Sequence, residues 1–333
     1  MQPAVPTTPS LSPPPPHCHP FSVRFWGVRG NIPTPGPQWV EFGGNTACIE
    51  VRVGGECLIF DGGTGLRLLG QQLVTRAETT AHLFFTHSYW DRIQGFPFFQ
   101  PAFQPHYCLH IYGGTAVTGA SIKQCLMAQM VRPNFPIPLP KMRAKLLFHD
   151  LAPGESWEIA ATGSSGLGVT PTLVSAPESG SPIIVETCSL NRFDRAIGYR
   201  VSWNGSTLVY ATDVSHGPYS DPALLHLARG ADVLIYDAAY SEPMPFVPGG
   251  SIAGESGSRS PGDPYSAPGL EILWHQGLAV AEAAGVGQLV LFHHSPDYDD
   301  GQLLALESQM QQNFPTSCLA REGMHLILNP GQP

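Results

Sequence analysis

The sequence has few charged residues, no long apolar run and no paired cysteine motif. Only 13% of its 333 residues are charged, which excludes a highly charged disordered chain and a coiled coil. No run of about 18 apolar residues occurs, so we expect no membrane-spanning helix. The net charge is −9. The chain therefore lacks the overall basic field of a typical nucleic-acid-binding protein, and we expect no nucleic-acid partner.

The cysteine pattern excludes two classes of small stabilised fold. The seven cysteines are odd in number, and no two of them form a C-x-x-C pair. This indicates neither a disulfide framework nor a zinc knuckle. The chain also starts without the basic and apolar segments of a secretory signal. We therefore expect a cytoplasmic protein.

Two segments are too rich in proline, glycine and serine to build a core. Residues 1–20 contain eight prolines, which predicts a disordered tail with polyproline character. In residues 241–270, proline, glycine and serine occur six times each, which predicts a long loop. We expect residues 21–333 to form one domain that contains this loop.

The rest of the chain shows short apolar runs separated by a few helical patterns. We predict strands at 22–26, 47–53, 57–60, 82–86, 109–112, 183–188, 197–203, 207–211, 233–236, 289–292 and 325–328. A 3.6-residue period predicts helices near 66–74 and 122–130, and two more near 271–284 and 301–312. Grouped strands interrupted by a few helices indicate an α/β sandwich.

Metal-binding side chains follow three of the predicted strands. His87 and Asp91 follow the first, Asp213 follows the second, and His293 and His294 follow the third. Imidazole and carboxylate groups at strand ends that share one edge of a sheet could converge on a cation. Each group taken alone is explained equally well as an ordinary polar loop residue.

A set of motifs in a fixed order resembles the metallo-β-lactamase superfamily, in the branch of phosphoribosyl cyclic phosphodiesterases and transfer-RNA 3′-processing nucleases. The resemblance spans residues 21–328. It implies an αββα sandwich with a two-metal hydrolytic site at one edge. The motifs are FWGVRGNIP (25–33), FGGNT (42–46), FDGGTG (60–65), QGFPFF (94–99), IYG (111–113), FPIPL (135–139), IGYR (197–200), YATD (210–213), ADVLIYDA (231–238) and LFHH (291–294).

The resemblance also implies where the metal ligands should be, and three of seven positions have lost their imidazole. The family uses H-x-H-x-D-H, a later His, a bridging Asp and a final His. The retained positions are His87, Asp91, Asp213 and His293, of which Asp91 and Asp213 are also the candidate catalytic groups; the lost positions are Tyr89, Arg92 and Arg192. The family's assisting His before a Trp is also absent ahead of Trp274.

The replacements change the electrostatics of the expected site. Two divalent ions need about three protein donors each, and a permanently charged guanidinium repels a cation. We expect Arg92 and Arg192 to pair with Asp91 and Asp213 and so to compensate the buried carboxylates without metal. The alternative is that both arginines point to solvent.

Three functions remain open at this point. The first is an eroded hydrolase with no required cofactor, in which Arg92, Arg192 and His294 bind a phosphate- or carboxylate-bearing small molecule. The second is an active mononuclear phosphodiesterase with one zinc or manganese ion. The third is an interaction scaffold that uses the proline-rich tail and the loop 241–270, with a protein partner on the tail. We expect His82, His110 and His149 to be structural, and Asp61 to be structural or to support the residues of the site.

Overall fold

The computed structural model describes residues 20–161, 181–191, 195–214, 221–237 and 270–328, with only the backbone at 270–273. The proline-rich tail apart from Pro20, the loop 241–270 apart from Leu270, and Arg192 lie outside the described residues. The expectations for a disordered tail, a protein partner on that tail and a salt bridge from Arg192 therefore stay predictions.

Fourteen strands and six α-helices alternate along the described chain. The strands are β1 (Phe21–Gly27), β2 (Cys48–Val53), β3 (Glu56–Phe60), β4 (Thr80–Phe85), β5 (Cys108–Gly114), β6 (Lys145–Leu151), β7 (Ser156–Ile159), β8 (Ile183–Asn191), β9 (Ala196–Trp203), β10 (Ser206–Ala211), β11 (Val233–Asp237), β12 (Gln288–Phe292), β13 (Ser317–Leu319) and β14 (His325–Leu328). The helices are α1 (Gly65–Leu73), α2 (Trp90–Ile93), α3 (Ile122–Gln129), α4 (Pro222–Ala228), α5 (Leu270–Ala284) and α6 (Asp300–Asn313).

The strands form two seven-stranded mixed sheets. The first sheet has the order β14-β1-β2-β3-β4-β5-β6, and the second has the order β13-β12-β11-β10-β9-β8-β7. Strands β3 to β6 run parallel in the first sheet, as do β10 to β13 in the second. Parallel neighbours bring their carboxyl ends to the same edge. Polar residues that follow these strands are therefore gathered together.

The inner faces of the two sheets share one apolar core. At its centre, the ring of Phe60 contacts Phe84 in the same sheet and Tyr199 and Tyr210 in the opposite sheet, with ring centroids 5.2–5.7 Å apart. Two further apolar clusters pack helices α1 and α3 on the first sheet and α4, α5 and α6 on the second. These layers confirm the predicted α/β metallo-β-lactamase sandwich.

Every predicted strand and helix is present, but five elements were not anticipated. Strand β6 lies at an edge and is mostly half-buried, so it lacks a clear apolar alternation. Strands β7 and β13 and helix α2 have only three or four residues each. Helix α4 did carry a signal, because Asp221 caps its start and Pro222 occupies the first turn. Within the described ranges, no helix is long and apolar enough to cross a membrane.

Candidate functional site

The acidic and histidine side chains at the strand ends converge on one edge of the sandwich. Asp61 follows β3, His87 follows β4, Asp213 follows β10, and His293 follows β12, while Asp237 is the last residue of β11. Helix α2 begins shortly after β4 and adds Asp91 and Arg92 to this edge. The structure thus brings together the described residues that the sequence placed in a site, apart from His294 and the outward-facing Tyr89.

Three of these residues have an unusual backbone conformation. Asp61, Asp213 and His293 have φ angles of 59°, 58° and 64°, in the left-handed region that side-chain-bearing residues rarely adopt. Such a conformation costs free energy and persists only where the surroundings enforce it. Each of the three lies within two residues after the end of its strand, and its side chain belongs to the cluster.

The guanidinium of Arg92 lies at the centre of the cluster and contacts three carboxylates. Its Nη1 donates to Asp61 Oδ2 at 3.0 Å, and its Nη2 donates to Asp213 Oδ2. Its Nε lies 3.3 Å from Asp91 Oδ2. The side chain has no solvent exposure. Arg92 thus has the ion pairs that we expected, and the alternative that it points to solvent is wrong.

This geometry also corrects one prediction. We expected Arg92 to bind an anionic ligand, but all of its nitrogen atoms face carboxylates of the protein. The negative charges of Asp213, Asp61 and Asp91 raise the pKa of Arg92 against the opposing effect of burial. Arg92 therefore remains a cation that is surrounded by internal carboxylates, although its Nε makes no hydrogen bond to the described residues.

Asp91 and Asp237 hold the ring of His293 between them. His293 Nε2 lies 3.1 Å from Asp91 Oδ2, and its Nδ1 lies 3.3 Å from Asp237 Oδ1. Burial and the charge of Arg92 lower the pKa of His293, but the nearby carboxylates Asp213 and Asp237 outweigh them and raise it to about 9. Burial likewise disfavours the ionised form of Asp91, yet the hydrogen bond from His293 and the charge of Arg92 bring its pKa well below the usual range.

Asp237 is a site residue that the sequence reasoning missed. It is completely buried, and its Oδ2 accepts a hydrogen bond of 2.6 Å from the backbone N–H of Asp213. It therefore supports both Asp213 and His293. Its position in the sequence could have identified it, because Asp237 stands at the end of an apolar strand, as the selected residues do.

Asp61 supports the residues of the site, which is one of the two roles that we expected for it. Besides pairing with Arg92, it accepts hydrogen bonds from the backbone and hydroxyl of Thr86, at 2.8–3.0 Å, and from the hydroxyl of Tyr210 at 2.8 Å. Tyr210 also accepts from Arg92 Nη1 at 3.1 Å. Asp61 thus links the first sheet to the second through a closed hydrogen-bond network.

His87 and Tyr89 lie at the rim of the cluster. His87 is buried, with its Nδ1 3.0 Å from Thr86 Oγ1 and 4.0 Å from Asp213 Oδ2. Its buried Nε2 has no hydrogen-bond partner among the described residues. The ring of Tyr89 packs edge-on against His87 with 4.7 Å between centroids and is 43% exposed. Tyr89 therefore faces outward at the position where the family motif has a histidine.

His294 does not belong to the site, which corrects a second prediction. We expected it to contact a ligand beside His293, but its Nε2 lies 2.8 Å from the backbone oxygen of Ala320. Its ring packs edge-on against Phe42 and is almost completely buried. Burial lowers its pKa to about 3, so it is a neutral core residue. The resemblance assigned His293 to the final ligand position, but the local sequence did not show that His294 turns away from the edge.

The residues at this edge do not fit a two-metal centre. Ligand atoms of Asp213, Asp237 and His293 lie within 4.8 Å of one another, but Asp237 already accepts from the Asp213 backbone and faces His293. The buried guanidinium of Arg92 contacts Asp213, the residue that would bridge two ions. A guanidinium and a divalent cation repel each other at this distance. The Arg92 side chain therefore places a fixed positive charge among the carboxylates at this edge.

Comparisons with known proteins establish the family. A family model described as β-lactamase superfamily domain matches residues 58–294. The chain belongs to this superfamily. Its fold is the metallo-β-lactamase fold, which confirms the resemblance seen in the sequence. No curated protein sequence matches the chain.

Several solved structures share the fold at low sequence identity. The metallo-β-lactamase fold protein YhfI from Bacillus subtilis is 16% identical, with a TM-score of 0.58 over 93% of this chain and 100% of that one. The short form of human tRNase Z is 18% identical, with a TM-score of 0.51 over 93% and 100%. A diphosphatase from the PhnP family is 15% identical, with a TM-score of 0.54 over 92% and 99%. At these identities the likeness concerns the fold.

Proposed function

We propose that this protein is a binding protein derived from a metal-dependent hydrolase, and that an internal salt-bridge cluster has replaced its metal centre. The observation that carries the proposal is the buried Arg92, which contacts Asp61, Asp91 and Asp213 at once. Hydrolysis in this fold family depends on metal-activated water. A guanidinium supplies positive charge but has no open coordination position, so it cannot lower the pKa of a bound water in that way.

The charge balance of the cluster disfavours an anionic ligand at this edge. Four carboxylates, those of Asp61, Asp91, Asp213 and Asp237, face two cations, Arg92 and the protonated His293. The cluster thus retains a formal excess of negative charge without any ligand. This excess disfavours an anionic substrate such as a phosphodiester at the edge itself. An anionic ligand of the protein is therefore expected to bind elsewhere on its surface.

A direct experiment combines metal analysis with an activity assay. Protein purified without chelator should contain far less than one zinc or manganese ion per chain. It should hydrolyse bis(p-nitrophenyl) phosphate only at the background rate, with or without added zinc or manganese. The control is the Asp213→Ala variant, which removes the shared carboxylate. Turnover by the wild-type protein that this variant abolishes would overturn the proposal.

One observation favours the second candidate, an active mononuclear hydrolase. The Nε2 atom of His87 is buried without a hydrogen-bond partner among the described residues, as expected for a nitrogen that awaits a cation. An ion at His87 would require Arg92 to leave Asp213. The two candidates differ in stoichiometry, because this candidate predicts one tightly held ion per chain that a His87→Ala variant loses. Our proposal predicts no such ion.

A further inference from the structure

A cleft beside the salt-bridge cluster has the dimensions of a small-molecule site. It lies between helices α1 and α2, the 3₁₀ turn at Phe96–Phe98 and the segment that follows α3. Its volume is about 780 Å³, which is within the range of known ligand pockets. The cleft is separate from the carboxylate cluster, although Trp90 on its wall directly precedes Asp91 and Arg92 in α2.

Aromatic side chains form an open apolar wall in this cleft. Trp90 is 68% exposed and Phe98 is 55% exposed, so two large rings lie in contact with water. Phe98 also packs edge-on against Phe135, with 5.6 Å between ring centroids. Exposed aromatic rings that line a concave surface mark a site where a planar apolar group can be buried.

A single cation gives the cleft a positive charge. Arg67 lies on the exposed side of α1, and its guanidinium makes no hydrogen bond or ion pair with the part of the chain that the structure describes. None of the described residues that line the cleft is acidic, although the chain as a whole has a net charge of −9. An unpaired guanidinium in such surroundings complements a carboxylate or a phosphate group.

Two amide side chains add polar groups that are already held in place. Gln94 Nε2 donates to Thr46 Oγ1 at 3.1 Å, and Gln129 Nε2 donates to the backbone oxygen of Ile93 at 2.9 Å. Each amide keeps its oxygen and a second N–H for another partner. Groups that are fixed before binding lose little entropy when a ligand arrives.

We propose that this cleft binds a small planar aromatic molecule that carries one carboxylate or phosphate group. The ring lies against Trp90 and Phe98, and the anionic group pairs with Arg67. The inference rests on the proposed binding role and supplies its ligand class. It assigns anion binding to Arg67, because the guanidinium of Arg92 is occupied by internal carboxylates.

The test compares three probes on the full chain by isothermal titration calorimetry at one ionic strength. The probes are 2-naphthoate, 2-naphthyl phosphate and the uncharged 2-naphthol, so the first two distinguish a carboxylate from a phosphate. At least one anionic probe should bind the wild-type protein more tightly than 2-naphthol does. Arg67→Gln should weaken that anion about tenfold or more and leave 2-naphthol unchanged. Trp90→Ala should weaken both the anion and 2-naphthol.

Arg143→Gln is the matched control, because Arg143 is also exposed and lies outside the cleft. This variant should bind all probes as the wild-type protein does. The proposal is wrong if neither anion binds, if Arg67→Gln binds the anion as the wild type does, or if Arg143→Gln weakens it equally. Metal content and phosphodiester turnover do not enter this measurement, so its failure is distinguishable from failure of the proposed function.

Discussion

Replacing Arg92 by methionine tests whether its charge holds the site together. Methionine retains an unbranched apolar stem of similar length and removes the guanidinium. Asp61, Asp91 and Asp213 then lose the cation that contacts all three. Removing one partner from a buried ion pair costs about 3–5 kcal/mol, because the remaining charge is left without compensation. The free energy of unfolding of an ordinary domain is about 5–15 kcal/mol, so this loss should be a large part of it.

The measurement is urea unfolding followed by circular dichroism, with Arg143→Met as the control at an exposed arginine. The Arg92→Met variant should lose about 3 kcal/mol or more of its unfolding free energy, and the control should stay within about 0.5 kcal/mol of the wild type. If Arg92→Met does not fold, the double variant with Asp213→Asn should restore folding, because one uncompensated charge is removed. A loss below about 1 kcal/mol for Arg92→Met would refute the electrostatic role of this residue.

Two further predictions concern the same cluster. Restoring the family ligands by Tyr89→His, Arg92→His and Arg192→His should raise zinc or manganese binding well above the wild-type level; a folded triple variant with unchanged uptake would show that our positional assignment is wrong. The pKa of His293 is raised from 6.5 to about 9, so its charge stabilises the fold fully below pH 6.5. This contribution, at most about 3 kcal/mol, is lost as the pH rises through 9. The unfolding free energy should therefore decrease as the pH rises from 6.5 to 9. His293→Gln should flatten this pH profile of stability; an equally steep profile in the variant would contradict the role assigned to His293.

The sequence predicted the layers of the fold because the apolar runs are long and periodic. Strands such as β4 and β12 are buried along nearly their whole length, and a continuous apolar run predicts such a strand directly. The half-buried edge strand β6 has no such pattern and could be recognised only from its pairing with β5. Pairing is a tertiary property that no local pattern contains.

The sequence predicted which strand ends form the site, but it did not predict the orientation of their side chains. His87, Asp213 and His293 were identified because a polar group follows an apolar strand, and the parallel pairing places these strand ends together. The same criterion applied to Asp237, which we left out because it does not appear in the ligand motif that we carried over. The direction of His294 depends on the left-handed φ of His293, which only the folded backbone shows.

Under the proposed function, Arg92 supplies the positive charge of the lost metal centre but not its chemistry. Carboxylates from both sheets and from helix α2 meet at this edge, so positive charge there is needed to offset the cost of burying them. A guanidinium meets that requirement and at the same time blocks the approach of an ion to Asp213. Under the proposed function, arginine at position 92 preserves the fold while it removes the chemistry. Two variants test the lost chemistry and the retained charge independently. The triple histidine variant is measured by its metal uptake, and Arg92→Met is measured by its stability.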